Sequence, residues 1–133
     1  MRPSVLCSLG LVVLGLLLGC AVSSGTPTGT LCPGESAVSY NDFVADFMGT
    51  YCTECHSTSL KPSDRHGAPS DHNFDTRYDV LANAEHIDQR VGAGPDAINT
   101  SMPPSGWPTP SVEEREKLSE WLACRLAGQP EPL

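Results

Sequence analysis

The 133-residue sequence predicts an all-α domain whose helices are joined by long loops. Three segments space their apolar residues three or four positions apart, as one face of a helix requires. No segment alternates apolar and polar residues in the manner of a half-buried strand. The 12 Gly and 12 Pro indicate that much of the remaining chain is loop. One small domain accounts for this length.

Two helices are predicted before residue 92. Residues 39–50 form the first, because Phe43 and Phe47 recur at helical spacing. The polar residues 57–74 contain Gly and Pro and predict a loop. Residues 78–91 form the second helix. Its apolar face consists of Val80, Ala84, Ile87 and Val91.

The last helix has the strongest start and stop signals. Thr109 followed by Pro110 predicts a cap with Pro at the first helical position, and Ser111 with Glu114 gives an overlapping capping box. Gly128 and Pro130 mark its end. The apolar stripe of this helix consists of Leu118, Trp121, Leu122 and Leu126. Residues 92–110, which precede it, predict a loop wrapped over the domain.

The amino terminus predicts export. Residues 5–19 are almost wholly apolar and fall short of the roughly 20 residues that a spanning helix needs. The stretch Leu17-Leu18-Gly19-Cys20 resembles the lipobox of bacterial lipoproteins, in which the signal is cut before an acylated Cys. We therefore expect a signal peptide over residues 1–19 and a lipidated flexible tether over residues 20–31. The alternative is an ordinary cleaved signal that happens to contain Cys20.

The chemistry is concentrated in Cys52-Thr53-Glu54-Cys55-His56, a C-x-x-C-H motif. Two thiols at this spacing can add to the two vinyl groups of a haem, and the adjacent His then supplies an iron ligand. The motif resembles the haem-attachment site of small single-haem class I c-type cytochromes, and the resemblance covers residues 32–128. It implies a cytochrome c-like domain of three to four short helices and long loops wrapped round one covalent haem c. Residues 129–133 would be a C-terminal tail.

The resemblance also implies a sixth iron ligand. Class I cytochromes place an axial Met in a Met-Pro loop some tens of residues after the motif, and Met102-Pro103 lies 46 residues after His56. A thioether sulfur favours reduced iron, and the following prolines stiffen the loop. Met48 is interpreted as core filler. The alternative to His/Met ligation is His/His ligation; His66, His72 and His86 are each interpreted as surface side chains.

Cys7 leaves with the signal peptide, so two of the six cysteines remain if Cys20 carries lipid and Cys52 and Cys55 carry haem. Cys32 and Cys124 would then pair in an oxidising compartment. The class I fold brings its first and last helices together, which agrees with this pairing. The alternative is two inert buried thiols.

Two other types of site are alternatives to haem attachment. A zinc centre would use Cys52 and Cys55 with two His, but no second Cys or His pair at zinc-ligand spacing is present in the sequence. A redox-active dithiol belongs at a strand-to-helix junction, and no such strand is predicted.

Trp107 is interpreted equally as a donor to a haem propionate or as a plain loop aromatic. The residues expected to pack against haem or each other are Phe43, Phe47, Tyr51, Ile87, Leu118, Trp121 and Leu122.

The sequence thus predicts a non-enzymatic electron-transfer protein, lipid-anchored on the periplasmic side of a bacterial membrane, inner or outer. The formal charge of −8 excludes nucleic acid as a partner and predicts a redox partner with a basic docking face. We expect a monomeric domain. The alternatives are a haem-based enzyme or small-ligand sensor with an openable sixth iron position, and an exported metal-binding protein without haem.

Overall fold

The computed structural model describes residues 25–132, and this part of the chain is all-α. Its α-helices are α1 (Ala45–Tyr51), α2 (Arg77–Ala82), α3 (Ala84–Val91) and α4 (Val112–Leu126). A π-helical turn, Tyr40–Val44, leads into α1, and a 3₁₀ turn, Pro62–Arg65, precedes α2. Residues 25–132 form no strand, only one isolated antiparallel bridge between Ala93 and Ile98. No helix in this range is long and apolar enough to cross a membrane. The predicted signal peptide and the Cys20 lipidation site lie outside the described residues.

The two helices predicted before residue 92 are present, with one break. Ser39 caps the first by accepting a hydrogen bond from the Asp42 amide. The helix predicted over residues 78–91 is divided into α2 and α3 at Asn83. The Asn83 side-chain amide donates to the Asp79 carbonyl at 2.9 Å and so competes with the helical hydrogen bonds at this point.

Helix α4 begins at the second of its two predicted starts, which confirms the capping box at Ser111 and Glu114. The Ser111 hydroxyl accepts from the Glu114 amide at 3.2 Å, and the Glu114 carboxylate accepts from the Ser111 amide at 2.7 Å. The prediction that Thr109 caps this helix with Pro110 in first position is therefore wrong. Leu126 also departs from its expected burial; it is 58% exposed because it lies on the final turn.

The core forms where the π-helical turn, α1, α2 and α3 meet α4. Its buried members are Val44, Phe47, Met48, Phe74, Val80, Ala84, Ile87, Val91, Leu118, Trp121 and Leu122. Met48 is 1% exposed, which confirms its interpretation as core filler. Trp121 is fully buried, and its indole N–H donates to the Glu131 carboxylate at 3.1 Å.

The two ends of the described chain are fastened to this core. Cys32 and Cys124 form a disulfide with their Cα atoms 4.6 Å apart. Thr28 is buried, and its amide and hydroxyl both donate to the Asp88 carboxylate, at 2.9 and 2.8 Å. Because these bonds order the backbone from Thr28 onward, the expectation of a flexible tether over residues 20–31 is wrong for its last part. The C-terminal segment is held as well, since Glu131 accepts from the Tyr40 amide.

Candidate functional site

The C-x-x-C-H motif forms a compact turn at the end of α1. Cys52 is the C-cap residue, and its amide donates to the Met48 carbonyl at 2.9 Å. The amides of Cys55 and His56 both donate to the Cys52 carbonyl, at 3.1 and 3.0 Å. The turn therefore continues the helix and places the two thiols and the imidazole on consecutive parts of one short segment. Neither Cys52 nor Cys55 is in a disulfide.

The imidazole of His56 is fixed by contacts on two sides. Its Nδ1 lies 2.9 Å from the His72 carbonyl, and a carbonyl only accepts, so Nδ1 carries the proton and Nε2 keeps its lone pair. The Phe74 ring stacks on the imidazole with a centroid distance of 4.7 Å. Burial lowers the pKa of His56, which keeps the ring neutral. A neutral, oriented imidazole with a free Nε2 is the form that binds a metal.

The two thiols are held in their protonated form. Packing round the sulfur raises the pKa of Cys52 to about 12, although part of the residue is exposed. Burial also raises the pKa of Cys55. Thiol–disulfide exchange needs a thiolate, and redox-active C-x-x-C pairs lower their pKa values to obtain one. This environment is the opposite of what such a redox pair requires.

Met102 is presented by a loop that contains no helix. The Met102 amide donates to the Arg90 carbonyl at 3.0 Å, and the Asn99 amide donates to the Gly92 carbonyl at 2.8 Å. The Met102–Pro103 peptide bond is cis. The side chain of Met102 is 37% exposed although it is large and apolar. The loop is therefore ordered by its backbone, and its thioether is left on the outside of the core.

One cleft brings the predicted site residues together. It is lined by Cys52, Cys55, His56 and Met102, and its walls are completed by Tyr51, Val91 and Trp107. A wider cleft lies between residues 27–30 and helices α3 and α4, but it contains no Cys, His or Met. The chemistry of the donors, rather than the size of the opening, identifies the first cleft as the candidate site.

The other residues predicted for the site lie elsewhere. Among the seven residues expected to pack against haem or each other, only Tyr51 lines the cleft. Phe47, Ile87, Leu118, Trp121 and Leu122 pack together in the core, and Phe43 packs against it. None of His66, His72 and His86 lines the cleft; His72 and His86 contact each other, with ring centroids 4.7 Å apart. Within residues 25–132 no three His, Cys, Asp or Glu side chains form a metal-binding group.

Two buried arginines bonded to the segments that carry the site have no signal in the sequence. Arg65 is 5% exposed and Arg115 is 2% exposed, and each donates to several backbone carbonyls. An isolated Arg in a polar loop, or on a helix with many charges, is typical of a surface residue. The sequence carries no periodic or motif signal that would distinguish these two.

Comparison of the chain with protein-family models, curated proteins and solved structures finds no match.

Proposed function

We propose that this chain is an electron-transfer protein carrying one covalent haem c, with Cys52 and Cys55 as attachment thiols and His56 and Met102 as axial ligands. The observation that carries the proposal is the cleft itself. Met102 is 46 residues from His56 in sequence, yet both line one opening with the two free thiols. A motif match alone does not require this convergence.

The donor set fits the group. His56 offers a free Nε2 because its Nδ1 proton is committed to the His72 carbonyl. Met102 offers a neutral, soft sulfur, and Cys52 and Cys55 are unpaired. When bound, haem c would supply one-electron chemistry at its iron, which His56 and Met102 would hold. The residues therefore bind and orient; nothing in the cleft is needed to activate a substrate.

The same proposal includes a cytochrome c-like arrangement of the helices round the haem. Two features support it: α4 packs against α3, and the disulfide fastens the start of the domain to α4. Long loops are present at residues 57–74, around the 3₁₀ turn, and at residues 92–110, and the second loop carries Met102. A small domain with a thin core gains apolar contact area from a large bound group.

We further propose that the domain works on the periplasmic side of a bacterial membrane, anchored through lipid on Cys20, and meets a partner with a basic docking face. The formal charge of −8 supports the partner's sign. Such encounters weaken as salt screens the charges. Electron transfer to the partner should slow as ionic strength rises, and a rate that stays constant would contradict the charge argument.

A second function is favoured by one observation. Met102 is 37% exposed, so its thioether is less enclosed than a core Met such as Met48. A sulfur at the surface is easier to displace, and displacement would open the sixth iron position to a small ligand. In that case the protein is a haem-based sensor or enzyme. Carbon monoxide binding to the ferrous protein distinguishes this function from simple electron transfer.

The mass of the matured chain tests the main proposal. The chain is expressed with haem-attachment machinery, beside a Cys52→Ala/Cys55→Ala variant as the matched control. We expect the native chain to exceed the mass of its amino acids and acyl groups by one tetrapyrrole that survives denaturation, and the variant to lack it. A native chain without this added mass would refute haem attachment and leave the non-haem metal-binding alternative.

A further inference from the structure

Two buried guanidinium groups are hydrogen-bonded to the segments that hold His56 and Met102. Arg65 and Arg115 are 5% and 2% exposed, and within residues 25–132 neither forms an ion pair with a carboxylate. A buried charge is costly unless its donors are satisfied. Here the guanidinium N–H groups donate mainly to backbone carbonyls. Each side chain therefore holds loop backbone in place rather than pairing with a carboxylate.

Arg65 is bonded to the segment that holds His56. Its Nη1 donates to the Ser57 carbonyl at 2.6 Å, and its Nη2 donates to the carbonyls of Pro69 and His72, at 2.6 and 3.0 Å. The His72 carbonyl is the same oxygen that accepts from His56 Nδ1 at 2.9 Å. Arg65 therefore fixes the acceptor that fixes the orientation and tautomer of His56.

Arg115 is bonded to the segment that holds Met102. Its Nη1 lies 2.9 Å from the Val91 carbonyl, 2.7 Å from the Asn99 carbonyl and 3.2 Å from the Met102 carbonyl. Its Nε donates to the Pro110 carbonyl at 3.2 Å, which joins the loop to the start of α4. Since the Met102 amide is also held by the Arg90 carbonyl, both peptide groups of Met102 are fixed.

We propose that Arg65 and Arg115 are positioning residues, each serving one of the two ligands: Arg65 holds His56 through the His72 carbonyl, and Arg115 holds Met102 through its own carbonyl. This inference rests on the proposed function. The two arginines share no hydrogen-bond acceptor, so each acts on its own side of the cleft. Each is consequently the matched control for the other.

The test compares Arg65→Gln with Arg115→Gln in the matured, haem-loaded chain. Gln is uncharged and lacks the planar fork. The first readout is the solvent-exchange rate of the His56 Nδ1 proton, measured by NMR on the ferrous, ¹⁵N-histidine-labelled protein. The second is the dissociation constant of exogenous imidazole, which competes with the Met102 sulfur in the ferric protein.

Each variant should move one readout. Loss of a group that orients a ligand changes binding by about 10-fold or more. We expect Arg65→Gln to speed exchange of the His56 proton about 10-fold and leave imidazole binding unchanged. We expect Arg115→Gln to tighten imidazole binding about 10-fold and leave the His56 proton unchanged.

Other outcomes overturn the proposal in distinguishable ways. Equal movement of both readouts in both variants would show that the arginines only stabilise the fold, and no movement in either would show that they do not position the ligands. If a Gln variant does not fold, the Lys variant at that position keeps the charge without the fork and is measured instead. Failure of both Gln and Lys variants to fold assigns the arginine a structural role. Absence of haem in the native chain would refute the proposed function before any variant is compared.

Discussion

The two walls of the cleft are built by different kinds of contact. The His56 wall, residues 52–56, extends α1 by hydrogen bonds between residues three to five positions apart, such as His56 to Cys52. The Met102 wall, residues 99–108, has no helix, and its backbone bonds reach Gly92, Arg90 and the side chain of Arg115. The backbone turn of the first wall is specified locally, although its His56 ring also contacts the His72 carbonyl and Phe74. The second wall exists only when distant parts of the chain have met.

This difference has a consequence for stability. Local opening costs least where few buried contacts and few regular hydrogen bonds hold the chain. Met102 is partly exposed and lies outside the core, whereas the His56 wall follows directly from a helix whose Phe47 and Met48 are buried. We expect the Met102 wall to open first when the domain is stressed, before the His56 wall separates from α1.

The largest expected effect comes from the disulfide, which touches neither wall. Replacing Cys32 and Cys124 by Ser removes a link between residues 92 positions apart. The chain-entropy argument gives a loss of about 4–5 kcal/mol in the free energy of unfolding. Urea denaturation followed by circular dichroism and tryptophan fluorescence measures it. Because the bridge fastens the chain ends, both signals should shift together, and separate midpoints for the two signals would contradict this.

The two described methionines sharpen the comparison. Met48 is 1% exposed in the core, so Met48→Ala should lower the free energy of unfolding by about 2–5 kcal/mol and leave the iron spectrum unchanged. Met102→Ala should abolish the ferric sulfur–iron charge-transfer band and open the sixth position to added ligand. Optical spectra and denaturation of both variants check this. A Met102→Ala protein that keeps the band would remove Met102 from the ligand set.

The local wall was predictable from sequence, and the loop wall only in part. Five consecutive residues predict the thiols and the imidazole of the His56 wall, and the helical spacing of apolar residues predicts α1. Met102 was identified only through resemblance to a family, because one Met in a polar loop has no physical signal of its own. Its carbonyl accepts from Arg115, whose burial follows from packing that a linear pattern does not contain.

The errors at element boundaries have two different origins. Thr109-Pro110 and Ser111-Glu114 are both valid helix starts by local rules, and the capping box forms at the second. Residues 28–30 are small and polar, as a tether would be, yet Thr28 donates hydrogen bonds to Asp88, 60 residues further along the chain. A local capping box fixes the first case, whereas hydrogen bonds between residues 60 positions apart fix the second, and composition does not reveal that pairing.

A moderate loss of stability is expected from changes at the start of α4. This helix contains Arg115, which is bonded to the Met102 wall. Ser111→Ala removes the cap that accepts from the Glu114 amide and should cost about 0.5–2 kcal/mol of stability. Thr109→Ala is the matched control, since the Thr109 hydroxyl donates only to the Trp107 carbonyl at 3.2 Å. Thermal denaturation of both variants compares them. Equal losses would mean that the helix begins at Thr109 after all.

The smallest expected effect concerns a contact between the Met102 wall and the loop that carries Arg65. The ring centroids of His66 and Trp107 lie 5.2 Å apart in an edge-to-face arrangement. A double-mutant cycle with Trp107→Leu and His66→Asn measures their coupling; Asn is chosen because His66 has a positive φ of 51° that Asn tolerates. Because His66 is exposed, we expect a coupling of about 0.5 kcal/mol, at the low end for aromatic pairs. A coupling near zero would mean that this contact does not link the two sides, so that each is held by its own arginine. A coupling well above this range would mean that the two loops move as one unit. The contrast between the wall built by local contacts and the wall built by distant contacts would then describe how the two walls form, but not how they open.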